Sequence, residues 1–358
     1  MMSGLPSNDP VPTVSLIVPV FNGGQAFERC IESLLAADPP PHEVIVVDDG
    51  SSDGSDCIAL RLGGKLLHTD SRKGPAVARN LGVGAATGDL IFFVDADVTI
   101  PTHALATVVA IFHNEPDVDA VIGSYDDEPA ASNLLSQYKN LLHHYVHQKS
   151  SAEGFTFWSA CGVIRRTVFL ELGGFDERFD WPSIEDVEFG YRLRAAQRKI
   201  RVCHELQVKH LKRWGPVSLF HTDVFRRAIP WSKLIVQSRR IENGLNIDHQ
   251  ARARVAVSGM IVLCGLIACF WPPALMVLAG LVVALLVLDF QVLNWFRHKK
   301  GICFTLRIIP WHWFSHFYSG SAFASVLGWH LLFDRQPPLW SINQAPEPSS
   351  KRMKMPEP

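Results

Sequence analysis

Chemistry in this sequence concentrates where apolar runs end in carboxylates. The run Asp89-Leu90-Ile91-Phe92-Phe93-Val94 stops at Asp95-Ala96-Asp97, two acids one residue apart that a buried strand does not need. Anions so close repel each other unless a cation or ordered donors lie between them. Hard oxygen ligands suit Mg2+ or Mn2+, so a divalent metal carrying the phosphates of a nucleotide is the natural cation. Taken alone, the pattern also describes a plain Asp-rich turn. A second run, Glu43 to Val47, ends at Asp48-Asp49-Gly50-Ser51-Ser52. A third acidic pair, Glu185-Asp186, opens a helical pattern with Val187, Tyr191 and Leu193 apolar and Arg192, Arg194 and Arg198 polar. Acids at a helix N-terminus complement its dipole without any further role.

The elements that must position these acids alternate. Val14 to Val20 reads as a strand, and Phe27, Ile31, Leu34 and Leu35 recur afterwards at helical spacing. Strands over 43–47, near 65–68, over 89–94 and over 120–125 are separated by a short helix and by helices over 75–86 and 104–113. Such βαβαβ alternation predicts an α/β domain with a mostly parallel, doubly wound sheet and helices on both faces. Ligands bind such sheets beyond the carboxyl ends of the strands. Phe21-Asn22, Asp48-Asp49 and Asp95–Asp97 all stand at strand ends and should converge on one crevice. No GxGxxG follows the first strand and no GxxxxGK[ST] occurs, which removes the main support for dinucleotide-binding and P-loop readings. His143-His144-x-x-His147 has metal-like spacing, but without HExxH or a nearby carboxylate it reads as a polar helix face.

The chain has 358 residues, enough for a substantial core, and 34 Lys+Arg balance 35 Asp+Glu, so no global field favours nucleic acid. Seven cysteines form no CxxC pair and read as thiols in a reducing compartment. Residues 1–12 are polar and proline-containing, a flexible N-terminus without the apolar core of a secretory signal. Residues 13–230 form the expected soluble domain and 231–254 a basic juxtamembrane segment. Val255–Trp271 and 274–288 carry no charge and flank Pro272-Pro273, which predicts a hairpin of membrane-associated helices within 255–333. A further segment, 314–333, is a span or an interfacial helix. Arg239, Arg240, Arg252 and Arg254 precede the hairpin and Arg297, Lys299 and Lys300 follow it. By the positive-inside bias both ends face the cytoplasm, giving a multi-pass protein of the cytoplasmic (inner) membrane with its soluble domain in the cytoplasm. The Pro- and Ser-rich tail, 334–358, reads as disordered.

Five segments in register resemble family 2 glycosyltransferases of the glycosyltransferase A fold. They are Ser15–Gly23, Val46–Ser55, Gly74–Gly82, Gly88–Asp97 and Glu185-Asp186, spread over roughly residues 13–215. The resemblance implies a nucleotide-sugar site in which backbone around Pro19, Val20, Phe21 and Asn22 lines base and ribose. Asp49 would accept hydrogen bonds from the base, and Arg79 would face phosphate bidentately. In the segment Asp95-Ala96-Asp97, Asp97 would be the principal metal ligand, and Asp95 would contact ribose or hold the metal through water. Asp186 would be the base, with Glu185 orienting it or the acceptor. Phe157–Arg166 matches the floor under the donor sugar, where small Ala160, Cys161 and Gly162 would leave room for a pyranose; Trp158 either stacks on a sugar or belongs to the core. Gly173–Glu177 resembles the loop leading into the base helix. His210-Leu211-Lys212-Arg213-Trp214 looks like the QxxRW motif of processive synthases with His210 in place of Gln. There His210 would complete the metal or diphosphate site, and Arg213 and Trp214 would meet diphosphate or acceptor.

The expected activity is therefore inverting transfer of a sugar from a nucleotide-diphosphate sugar, read as UDP-linked, with Mn2+ or Mg2+ as cofactor. The acceptor would be lipid-linked or a glycan at the cytoplasmic membrane face, with membrane lipids as further partners and no nucleic acid. A processive polysaccharide synthase, nucleotidylyl transfer, and a non-enzymatic sugar-nucleotide sensor or scaffold are the alternatives.

Overall fold

Val14–Val20 (β1) is buried at every residue except Pro19, as an apolar run without alternation requires of a strand covered on both faces. The computed structural model describes residues 11–238 and 249–333. After β1 come α1 (Gly24–Leu35), β2 (Glu43–Asp48), α2 (Ser55–Arg61), β3 (Lys65–His68), α3 (Pro75–Gly84), β4 (Leu90–Val94) and β5 (Val98–Thr99). Then follow α4 (Ala104–Asn114), β6 (Ala120–Tyr125), α5 (Leu134–Lys149), β7 (Cys161–Arg165), α6 (Arg166–Glu171), α7 (Glu185–Ala195) and β8 (Ile200–His210). The strands form one sheet in the order β3-β2-β1-β4-β7-β6-β8-β5.

β3, β2, β1 and β4 are parallel neighbours, as are β6 and β8, so the mostly parallel α/β sheet expected from the sequence is present. β7 runs antiparallel to both β4 and β6, and β5 antiparallel to β8. Direction matters here. Because β7 is reversed, its first residue, Cys161, pairs with Val94, the last of β4. The chain just before β7 is thereby delivered beside Asp95.

One face of the sheet packs Leu16, Val18 and Phe92 against Phe27, Ile31 and Leu34 of α1. The other packs Ile17, Ile45 and Phe93 against α3, α6 and α7. Phe93, Phe157, Phe169, Phe175 and Phe189 form a ring cluster there, with neighbouring centroids 5.1 to 6.2 Å apart. α3 lies so close to the sheet that a Cβ on Gly82 would come within 2.6 Å of the Ile17 side chain.

Beyond β8 the chain is helical: α8 (Pro216–His221), a π-helical stretch over Thr222–Ala228, α9 (Ile229–Ser238), α10 (His249–Ala268), α11 (Ala274–Leu288), α12 (Phe290–Lys300) and α13 (Ile302–Phe333). The hairpin expected over 255–271 and 274–288 differs in its limits. Its first arm begins six residues earlier, and its second resumes after Asp289 as α12 with a bend of 62°. Arg254 donates to the Leu288 carbonyl at that bend, satisfying a group the broken helix leaves open. The segment 314–333 is the later part of α13, whose Pro310 lies inside the helix. Among the described residues α10 alone is a single helix long and apolar enough to cross a membrane, with the bent α11–α12 pair a second candidate. Large apolar side chains face outward here, Phe270 at 92% and Met276 at 82% exposure. α12 and α13 are fixed to the sheet domain through Tyr138 and Leu141 of α5, which pack with Val292, Phe296 and Ile308, and through a Lys299–Asp127 ion pair. Residues 1–10, Arg239 and Arg240, and the tail 334–358 lie outside the described residues.

Candidate active site

The ends of β1 and β2 are tied together first. Val20 carbonyl accepts from Asp49 N–H at 2.8 Å, and Asn22, in the left-handed region at φ 52°, accepts from Ser52 N–H at 2.8 Å through Oδ1. The Asp49 carboxylate is buried and organises the following loop. Oδ1 accepts from Thr69 Oγ1 and Lys73 N–H and Oδ2 from Gly74 N–H, each at 2.8 Å. Gly74 has φ +93°, and a Cβ there would come within 2.5 Å of the Asp180 carbonyl, so this crossing needs glycine. Oδ2 keeps acceptor capacity for one more donor.

Above this pair stands a stack that the sequence did not reveal. The Arg72 guanidinium lies 3.9 Å from the Phe21 ring centroid and 4.0 Å from that of Trp181, and Arg226 lies 4.7 Å from Trp181 on its own account. Of the β1-end residues, Pro19 and Val20 are shielded, whereas Phe21 is 38% exposed and forms the edge of this stack.

Arg79 differs from the expectation of a phosphate ligand. Its guanidinium is buried, with Nη2 2.7 Å from Asp95 Oδ1 and Nη1 2.9 Å from Glu185 Oε1. Two of its donors are thus spent on carboxylates, and it bridges the end of β4 to the start of α7. This is the cation that lets Asp95 and Glu185 sit together. The second Glu185 oxygen accepts from Ser183 N–H at 2.9 Å, so both of its oxygens are engaged. Arg79→Met should cost about 3 kcal/mol or more, since it strands a buried carboxylate. A urea midpoint lowered at unchanged m would show this; unchanged stability with lost donor affinity would restore the phosphate role.

Asp97 points the other way. Its Oδ2 lies 3.5 Å from His210 Nε2, while His210 Nδ1 is 2.9 Å from Asn140 Oδ1 on α5. An amide oxygen only accepts, so His210 Nδ1–H donates to Asn140, and the Nε2 side of the ring faces Asp97. Burial pushes the Asp97 carboxyl up, but His210, with Lys212 farther out, outweighs it and holds the pKa at about 2. A permanently ionised carboxylate oxygen and an oriented imidazole nitrogen converging on one point fit a divalent ion such as Mn2+. His210 stacks on Tyr125 at 4.5 Å and 3°. Tyr125 in turn meets Trp158 and His143. Trp158 therefore belongs to an aromatic cluster. His143 and His147 differ from the expected polar face, because they turn inward: His147 is buried with Nδ1 3.0 Å from the Gly123 carbonyl, and His144 Nδ1 is 2.8 Å from that of Tyr125. They pin α5 to β6.

Asp186 occupies the first turn of α7. Its Oδ2 accepts from Ser159 N–H at 3.1 Å and Ser159 Oγ at 3.2 Å, in the segment that reversed β7 brings alongside β4. Burial, reinforced by neighbouring Glu185, raises its pKa from 3.8 to about 6. The expected floor is different in detail. Cys161 and Gly162 are closed inside the sheet, and a Cβ on Gly162 would strike the Trp158 carbonyl at 2.5 Å, so their small size serves strand packing and leaves no pyranose space. Half-buried Ala96 packs against the core. Trp214 is buried, its backbone N–H donating to Ser136 Oγ at 2.7 Å, and Arg213 is exposed beside it. A separate group, Asp289, His312 and His316, brings its ligand atoms within 4.8 Å of one another among the C-terminal helices. Arg254 Nε, 2.8 Å from Asp289 Oδ1, already supplies a cation there.

The family model "Glycosyl transferase family 2" matches residues 15–173. An uncharacterized protein of Mycobacterium tuberculosis is 30% identical over 222 residues, 56% of this chain and 68% of that protein. The Pre-mycofactocin glycosyltransferase of the same species is 30% identical over 205 residues, 55% of this chain but only 42% of that one. Among solved structures, the mannosyltransferase PcManGT from Pyrobaculum calidifontis, in complex with GDP-Man and Mn2+, superposes with a TM-score of 0.54 at 18% identity. It covers 93% of this chain and 90% of that one, a likeness of fold. With the five sequence segments, the sheet order and these matches in agreement, the chain belongs to glycosyltransferase family 2.

Proposed function

We propose that this glycosyltransferase moves a sugar, with inversion, from a nucleotide-diphosphate sugar to a lipid-linked or glycan acceptor at the cytoplasmic face of a membrane. The observation that carries the reading is the Arg79 bridge. It holds Asp95, beside the metal-type pair Asp97–His210, against the helix that bears Asp186. Donor-side and acceptor-side acids thus share one site.

The geometry supports the following roles. Asp49 receives the base through its remaining acceptor capacity, next to Phe21 and Asn22 at the end of β1. Asp97 and His210 would hold Mn2+ or Mg2+, which when bound would offset the charge that develops on the departing diphosphate. Asp186 takes the proton of the acceptor hydroxyl as its oxygen bonds to the anomeric carbon and the bond from that carbon to the diphosphate breaks. A carboxyl with pKa about 6 is ionised at neutral pH yet basic enough for this transfer. Glu185, committed to Arg79 and Ser183, positions the helix start and is not the base. Arg213, exposed beside Trp214, would meet diphosphate or acceptor. The outward apolar faces of α10 and α11, with Arg252, Arg254, Arg297, Lys299 and Lys300 at their ends, support membrane attachment with the catalytic domain on the cytoplasmic side.

A panel of nucleotide sugars incubated with the purified chain and Mn2+ tests the reading. Release of nucleoside diphosphate from one donor, absent in EDTA, is expected. Pyrophosphate release would replace it with nucleotidylyl transfer, long polymer would mark a processive synthase, and binding without turnover would leave a sensor.

A further inference from the structure

At the bend between α11 and α12, metal-type side chains from two parts of the chain point at one spot. Asp289 is the residue at the bend, capping the end of α11 and the start of α12. His312 and His316 stand at i and i+4 on α13, a spacing that puts both imidazoles on one face of the helix. Asp289 Oδ1 lies 3.4 Å from His312 Nε2 and 3.5 Å from His316 Nε2, and the three atoms fall within 4.8 Å of one another. Asp289 is 4% and His312 5% exposed. None of the three atoms has a hydrogen-bond partner among the described residues. Buried polar atoms that converge unpaired are costly unless something sits between them. Their separations are long for hydrogen bonds but fit a coordination sphere. Tetrahedral bonds of about 2.0–2.1 Å set neighbouring ligand atoms about 3.3–3.4 Å apart.

Arg254 is the competing cation. Its Nε is 2.8 Å from Asp289 Oδ1, while its Nη2 donates to the Leu288 carbonyl at 2.9 Å. It balances the carboxylate charge but makes no hydrogen bond to either imidazole Nε2. A carboxylate offers about four lone-pair sites, so Arg254 and a metal can share Asp289, as ligating carboxylates commonly accept an outer hydrogen bond. The ring of His312 is held from behind. Its Nδ1 lies 2.8 Å from the hydroxyl of Tyr138, a buried residue of α5. A proton on Nδ1 directed at that oxygen leaves Nε2 a lone pair, the arrangement of a metal-bound histidine.

We propose that Asp289, His312 and His316 bind one Zn2+ ion, separate from the metal assigned to Asp97 and His210. Two imidazoles and a carboxylate are zinc ligands, and three of them leave a fourth position for water. The ion staples the α11–α12 bend to α13 and, through Tyr138, to α5 of the sheet domain. The site stands whether or not the transfer reading holds.

Calorimetry on the full chain in detergent micelles, stripped with EDTA and titrated with Zn2+, decides it. One Zn2+ per chain should bind without any nucleotide, and Asp97→Ala should bind it as tightly as the unaltered chain. His316→Gln and Asp289→Asn should each weaken it about a hundredfold, and Tyr138→Phe about tenfold by freeing the His312 ring. Co2+ in place of Zn2+ should give the intense visible absorption of a four-coordinate site, absent from His316→Gln. Equal melting temperatures in EDTA show that His316→Gln is folded, and added Zn2+ should then raise only that of the unaltered chain. No stoichiometric Zn2+, equal binding by His316→Gln, or loss of the ion in Asp97→Ala would overturn the site. Each would leave an Arg254–Asp289 ion pair flanked by two imidazoles.

Discussion

Asp186→Asn should lower kcat about a thousandfold while donor affinity, measured by calorimetry with Mn2+, stays unchanged. The amide keeps the Ser159 contacts in shape but cannot accept the acceptor's proton. The pH profile supplies a second signature. Because the base must be ionised, kcat/KM should rise tenfold per unit up to pH about 6 and level off above it, and the variant should lose that limb. Stability should move the other way. A carboxyl whose pKa is raised by folding destabilises the fold at every pH above its unfolded value, so the melting temperature of the variant at neutral pH should not fall. Turnover equal to that of the unaltered enzyme would remove Asp186 from the reaction and return the role to another acid.

Asp97→Ala carries the second large effect. Asp97 is kept ionised by His210 and contributes the oxygen of the metal-type pair. Without it, nucleoside diphosphate binding should lose its dependence on Mn2+, with affinity in the presence of metal falling on the order of a hundredfold. Titrations with and without Mn2+ should then superimpose for the variant and differ for the parent. A variant that still bound more tightly with Mn2+ would place the ion elsewhere.

Much of this was legible before the structure. The runs at Val14–Val20, Glu43–Val47 and Leu90–Val94 became strands because unbroken apolar stretches bounded by polar turns have few other fates. Their polar ends did converge. Strand direction was not legible, since composition does not distinguish β7 running up from running down, yet its reversal is what places Ser159 beside Asp186. Arg79 shows a different limit. A guanidinium matches phosphate and carboxylate geometry alike, and its two carboxylates lie 16 and 106 positions away in the chain. Cys161 and Gly162 look like room for a ligand by size alone, but the room is filled by strand and ring packing. Asn140, 70 residues from His210, and the Phe21–Arg72–Trp181 stack had no local pattern to announce them.

α5 has one more consequence. Lys139 and Asn140 are consecutive residues on it, the first paired with Asp223 and the second with His210 Nδ1. His144 and His147 fasten the same helix to β6, and Tyr138 and Leu141 fasten it to α12 and α13. The helix therefore acts as a ruler. The offset between the Lys139–Asp223 ion pair and the Asn140–His210 contact is set by one residue step of a helix pinned at both sides, and a rotation or slip of α5 would misalign the two together.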